Sequence, residues 1–343
     1  MVKNATICDV AREAGVSVCC VSWVLRNHPR SREVGEQTRR RVLAAAEKIG
    51  YRRNLLASAT RTGQVSTIAV ILNLMQYQTM SNFNQIMTGI MLESSAHRQS
   101  VKIFPEEELE NSFRQIMENR IDKIIMISVD PDLRERVAAM AEQNAVQLVY
   151  AYEHGHRSFP AVNADNAEMT ARAVHYLADR GHSRIGLICV PHRHCYVTDR
   201  HAGYLRGMEE CGLTADPCRI CCSDDIGQSI GRIMALPARR RPTALVALSD
   251  SVAAKVQAYA LRNGLRFPDD ISVIGIGDSP IAGLLPYPLT TMRESLQETG
   301  QLLVRLAMKE PPAVPPDEYN VYHTHAALVE RESVYNRKTR GRK

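Results

Sequence analysis

The chain carries nine cysteines and eleven histidines. One run gathers them, His192-Arg193-His194-Cys195, and Cys218-x2-Cys221-Cys222 follows it. Imidazole and thiolate are ligands for zinc-like ions, so this grouping raises the question of a metal site. A C-x2-C pair alone is common, however, and no second ligand pair stands at finger spacing. The expectation is therefore no metal, with reduced thiols serving as small hydrophobic residues. Gly275-x-Gly277 lacks the third glycine and following helix of a dinucleotide fingerprint. G-x-S-x-G, P-loop and H-E-x-x-H patterns are all missing from the sequence. These absences argue against an enzyme and against a cofactor.

The chemistry that remains is cationic, and it is concentrated at one end. Residues 1–62 hold twelve Lys/Arg against five Asp/Glu, a net of +7, and the tail 337–343 adds +5. Since the whole chain carries +6, residues 63–336 are left with −6. A basic head on a mildly acidic body fits a head that meets a polyanion. The short basic tail reads as a solvated end.

Short helices must present those cations. Thr6 can cap a first helix, with Asp9 completing a capping box, and Ile7, Val10, Ala11 and Ala14 share one face. Gly15 can end that helix in the left-handed conformation. Ser17 can cap a second helix whose inward stripe is Val21, Val24 and Leu25. A third helix is expected from about Thr38, with Val42, Leu43, Ala46 and Ile49 inward and Arg39, Arg40 and Arg41 crowding its first turn. Three short helices with a basic surface follow the helix-turn-helix plan.

The order Thr6-Ile-x-Asp9-Val-Ala-x-x-Ala-Gly15-Val-Ser17-x-x-x-Val21-Ser-x-Val-Leu-x-Asn27 is more specific than the plan. With Val34–Val42 and Ile49-Gly50-Tyr51-x-x-Asn54, it resembles the lac repressor (LacI/GalR) family of bacterial transcription regulators. The resemblance implies DNA contact by Thr6, Ser17, Val18, Cys19, Cys20, Ser22, Trp23, Arg26, Asn27, Thr38, Tyr51, Asn54, Ala57 and Thr60. Trp23 stands where the family has a base-reading arginine. Arginine forks onto guanine, whereas tryptophan offers one indole donor and a broad apolar face. Val18 and Cys19 can pack on a thymine methyl. An operator read more by shape and methyl contacts is expected. Arg53 replaces a usual proline, and Thr60 replaces the leucine that wedges the minor groove. A weaker DNA bend should follow, with Arg52, Arg53 and Arg61 on phosphates. The run His28–Glu33 is about two residues longer than usual, and its arginines should face phosphate or solvent.

From Thr67 the pattern changes. Apolar runs, 67–72, 101–104, 122–128, 146–150, 184–190, 243–248 and 271–276, alternate with amphipathic segments such as 167–180 and 251–263. That alternation implies parallel sheets with helices on both faces. Some 270 residues of it fit two doubly wound subdomains with a ligand cleft at the carboxyl ends of their strands. The resemblance covers this body too, and implies a module similar to periplasmic sugar-binding proteins.

The expected organisation is an all-α helix-turn-helix domain (1–53), a hinge helix and linker (54–66), an α/β effector-binding and dimerisation body (67–336) and the basic tail (337–343). Within the body, one subdomain takes 67–164 plus 293–322 and the other 165–292 plus 323–336. Effector contact is implied for Phe83, Arg200, Ser249 and Asp278. Gly277 occupies the place of an aspartate that often accepts from the effector. Arg200 thereby loses its usual counter-charge, which favours an anionic or phosphorylated effector over a neutral sugar.

No apolar run reaches the ~18–20 residues that cross a membrane. The start "MVKNATICDV" lacks a signal core. The expected protein is a cytoplasmic homodimer or dimer of dimers on double-stranded operator DNA, with affinity set by a small metabolite. The competing reading is a metabolite-binding module with a degenerate head.

Overall fold

The computed structural model describes residues 5–26, 28–52, 65–74, 81–128, 130–152, 154, 156, 158–191 and 195–338. It divides into two compact units, Met1–Val65 and Ser66–Lys343.

In the first unit, α1 (Ile7–Ala14), α2 (Val18–Arg26) and α3 (Glu36–Lys48) close on a small core. Val10, Val21 and Val42 are fully buried there, with Ala11, Ala14, Val24, Ala45 and Ala46 around them. Small residues let three short helices approach closely enough to exclude water. The capping box forms as spelled, with Thr6 N donating to Asp9 Oδ2 at 2.9 Å and Asp9 N donating to Thr6 Oγ1 at 3.3 Å. Gly15 ends α1 at φ 62°, in the left-handed region. Two expectations need correction. Helix α3 begins at Glu36, and Leu43 is 47% exposed, its inward place taken by Ala45. At 100° per residue, Ala45 lies on the same stripe as Val42 and Ala46, whereas Leu43 is turned away.

The second unit holds two six-stranded sheets wound alike. In the first, the order is β11 (Val321–Thr324), β5 (Ala161–Ala164), β4 (Gln147–Ala151), β3 (Lys123–Ile127), β1 (Thr67–Leu72), β2 (Ser100–Pro105), and every pairing is parallel. In the second it is β12 (Ala326–Val329), β10 (Thr291–Glu294), β9 (Ser272–Gly277), β8 (Ala244–Ala247), β6 (Ile185–Cys189), β7 (Ile220–Cys222). There only the β10–β12 pair is antiparallel.

Helices cover both faces of each sheet, as strands that are apolar on both sides require. Helices α4 (Ser81–Ala96), α5 (Leu109–Glu118), α6 (Pro131–Gln143) and α11 (Leu296–Ala307) flank the first sheet. Helices α7 (Asn166–Asp179), α8 (Cys195–Glu210), α9 (Ile226–Met234) and α10 (Asp250–Arg262) flank the second. A Cβ on Gly89 of α4 would fall 2.1 Å from Gln297 O of α11, so those two helices meet backbone to backbone.

The chain passes between the sheets at Asp165, Ser295 and His325. Arg293 and Glu294 thus belong to the second sheet, and His323 and Thr324 to the first. Each of the last two crossings lies within about two residues of the bounds that the resemblance implies. The strands that the apolar runs did not reveal, β5, β7, β10, β11 and β12, are three or four residues long. Cys189 and Cys222 face each other in register across β6 and β7, with their sulfurs in contact. Among the described residues, no helix is long and apolar enough to cross a membrane.

Candidate DNA interface and effector cleft

The core of the head decides what α2 can show. With Val21 and Val24 buried, Val18 (40% exposed) and Cys19 lie on the surface, and Cys20, Ser22 and Trp23 are half-buried. Ser17 caps the helix by accepting from Cys20 N at 3.2 Å. Trp23 stands outside the hydrophobic cluster of the head. Its ring stacks with His28 at 6.5 Å and 22°, and the Arg30 guanidinium lies 5.7 Å from its centroid. The run after α2 is a short 3-10 turn, Pro29–Glu33, with buried Ser31. Arg30 therefore packs over Trp23, where phosphate or solvent contact alone was expected. Indole, imidazole and guanidinium form one flat, cationic platform, a combination suited to stacking and to a backbone phosphate.

Thr6 is exposed and caps α1, Thr38 sits half-buried in the first turn of α3, and Tyr51 packs on the core. Arg26 ends α2. Asn27, Asn54, Ala57 and Thr60 lie outside the described residues, together with the hinge segment and its expected wedge.

In the body, the implied effector residues are all engaged by protein groups. Phe83 is fully buried between α4 and the first sheet and meets Tyr152 at 5.8 Å. Arg200, 6% exposed, donates to Asn166 Oδ1 at 2.7 Å, Leu248 O at 2.8 Å and Glu294 Oε1 at 3.0 Å. Its guanidinium also lies 5.0 Å from the Tyr196 ring. Glu294 is 4% exposed, so the two charges form a buried pair. The counter-charge of Arg200 is thus present, supplied 94 residues away by β10. The reason for preferring an anionic effector disappears with it.

Ser249 caps α10, accepting from Val252 N at 3.3 Å. Asp278, at φ 51°, accepts from Arg293 Nε at 2.6 Å and Arg331 at 2.7 Å. Gly277 has φ 127°, a conformation that L side chains rarely adopt, so an aspartate would be strained on this backbone. Asp250 beside it is 2% exposed and accepts from Thr291 Oγ1 and Ser279 N, both at 2.6 Å. Burial raises its carboxyl pKa, and those donors oppose the rise.

Sequence reasoning missed a cavity of about 280 Å³ at the carboxyl ends of the first sheet. Asn73, Glu106, Glu107, Glu110, Asp130 and Arg136 line it with Leu109 and Leu133. Asn73 Nδ2 donates to Glu106 Oε1 at 2.8 Å, and burial pushes the Glu106 carboxyl pKa up. The run Pro105-Glu-Glu-Glu108 was its only signal in the sequence. A wall of carboxylates repels anions, in line with the neutralised Arg200.

Comparison with known proteins bears on both units. Residues 6–54 match the model of bacterial regulatory proteins of the lacI family, and residues 174–334 match the periplasmic binding protein-like domain. The HTH-type transcriptional repressor PurR of Vibrio atlanticus (strain LGP32) is 29% identical over 348 residues, covering 96% of this chain and 98% of that protein. The HTH-type transcriptional repressor CytR of Escherichia coli (strain K12) is 29% identical over 319 residues, covering 89% of each. The lac repressor dimer bound to operator and the anti-inducer ONPF shares the fold, with a TM-score of 0.72 at 22% identity over 97% of this chain and 100% of that one. The chain thus carries a lacI-family helix-turn-helix domain followed by a periplasmic binding protein-like domain, the two parts laid out as helical head and α/β body above.

Proposed function

We propose that this transcriptional repressor docks as a dimer on a pseudo-palindromic operator, with Val18, Cys19, Ser22 and Trp23 of each α2 facing base edges. Thr6, Ser17, Cys20, Arg26, Asn27, Thr38, Tyr51 and Asn54 would flank them, and Ala57 and Thr60 would lie at the minor groove. The observation that carries this reading is the position of Trp23. The head completes its core without it, so its half-buried indole stands beside the His28 ring and the Arg30 guanidinium. An intact capping box and a closed core also speak against a degenerate head.

Capture of genomic fragments at low salt, where phosphate contacts are strongest, should enrich sites with two-fold symmetry. Trp23, the only tryptophan in the chain, should be quenched on binding. Trp23→Ala should weaken the enriched site by roughly tenfold or more, within the ~1–3 kcal/mol that one base contact contributes. Fragments without symmetry, or an unchanged sequence preference in Trp23→Ala, would overturn the reading.

The body is the effector-sensing part, and it acts in the cytoplasm. With Arg200 and Asp278 already paired, the cleft suits a neutral polar ligand such as a sugar better than a phosphate ester. A thermal-shift screen decides between them, since bound ligand raises stability by mass action. Stabilisation by phosphorylated sugars alone would reverse this assignment.

A further inference from the structure

We propose that His154, Cys195 and Asp199 form a site for a zinc-like divalent ion that joins the two halves of the body. Cys195 and Asp199 stand one helical turn apart at the start of α8, and so share a face. His154 comes from the connection between β4 and β5 of the other sheet. Cys195 Sγ, an imidazole nitrogen of His154 and a carboxylate oxygen of Asp199 all lie within 4.8 Å of one another. His154 Nε2 is 3.1 Å from Asp199 Oδ2.

Zinc-like ligand distances of about 2.0–2.3 Å place tetrahedral donors some 3.4–3.7 Å apart. The cluster needs to draw in by little more than 1 Å to hold an ion. One thiolate, one imidazole and one carboxylate make a borderline set, which selects zinc-like ions over calcium or magnesium. Three protein ligands leave a fourth position open for water or a ligand in the cleft.

The surroundings hold the donors in place. The His154 ring stacks on Tyr319 at 4.8 Å and 18°, and its backbone carbonyl accepts from Arg134 at 3.2 Å. Tyr152, held at φ 64°, turns its carbonyl to the Cys195 thiol, which lies 3.3 Å away. A bulky residue in that region costs free energy, and such strain collects at ligand sites. On binding, the thiol releases its proton to solvent and the sulfur exchanges its contact with the Tyr152 carbonyl for the ion. An ion held this way resists separation of the β4–β5 connection from α8, and so favours a closed cleft.

The test is titration of the full-length, reduced protein with CoCl2, followed by the thiolate-to-cobalt absorption band. The expected result is one band saturating at one cobalt per chain and displaced by ZnCl2. Cys195→Ser should abolish the band. His154→Ala and Asp199→Asn should each weaken cobalt binding by at least the about 10–100-fold that losing an outer-sphere partner costs. The double variant Cys19→Ser/Cys20→Ser and Cys218→Ser, which change other free thiols, should keep the band. Absence of a band at millimolar cobalt, or a band that survives in Cys195→Ser, would overturn the proposal. This readout involves no DNA, so it stands or falls apart from the operator reading.

Discussion

The head and the body place their polar groups in opposite ways. In the head, the apolar core is complete without α2's outer residues, and Val18, Cys19 and the Trp23 platform are left at the surface. In the body, the charged groups beside the cleft are tied to one another: Arg200 to Glu294, and Asp278 to Arg293 and Arg331. The outer face of α2 can therefore change its side chains at little cost to folding. The cleft cannot at Arg200 or Asp278, because each of those charges is held by a charged partner. This explains how the head keeps the family frame with Trp23 in place of arginine, while Gly277 is accompanied by a buried carboxylate, Asp250, directly behind it.

The largest expected effect lies in the body. Glu294→Ala strands the Arg200 guanidinium inside the protein and should destabilise it by about 3–5 kcal/mol, measured by urea unfolding. The double change Arg200→Met/Glu294→Leu removes both charges and should restore most of that loss. If the double variant is stable but deaf to effector, Arg200 has a contact beyond the clasp. If the single variant is harmless, the contrast between the two regions collapses.

A second effect depends on pH. His182 is 1% exposed, between Thr243 Oγ1 at 3.0 Å and the Tyr335 carbonyl at 2.9 Å. Burial lowers its pKa from 6.5 to about 4. The folded protein holds this ring neutral while the unfolded chain protonates it, so stability is full above pH 6.5 and falls as pH drops towards 4. The loss should be on the order of 3 kcal/mol by pH 4. His182→Gln should flatten that part of the stability-versus-pH curve, and an unaltered slope would remove His182 as its cause.

The smallest effect is expected in the head. Thr6→Ala removes the capping box and should cost about 1 kcal/mol of head stability, visible in hydrogen exchange of residues 8–14. A much larger loss would mean that the head depends on polar contacts as the cleft does.

Local features were legible in the sequence because neighbours along the chain determine them. Thr6 with Asp9, Gly15, the stripe of Val21 and Val24, and the seven strands that carry the apolar runs all follow from local sequence alone. What escaped was set by partners far away. Nothing near Arg200 announces Glu294, and nothing near His154 announces Asp199. Trp23 could be placed on the outer face, yet its stacking on His28 and Arg30 depends on how the 3-10 turn folds back. Leu43 misled because a large apolar residue was assumed to be inward, when the buried centre of the three-helix core is made of alanine and valine.

The two sheets are joined by three separate passages of chain, and they leave from neighbouring strands: β5 and β11 on one side, β10 and β12 on the other. Two of the passages are bonded together, Ser295 N donating to His325 O at 3.1 Å. A single thread would let the halves twist and slip past each other. Three threads side by side, two of them stitched, resist both motions and leave bending across the seam as the soft direction. Any signal a ligand sends through this body is thus confined to one kind of movement, an opening or a closing, before it reaches the helices that meet DNA.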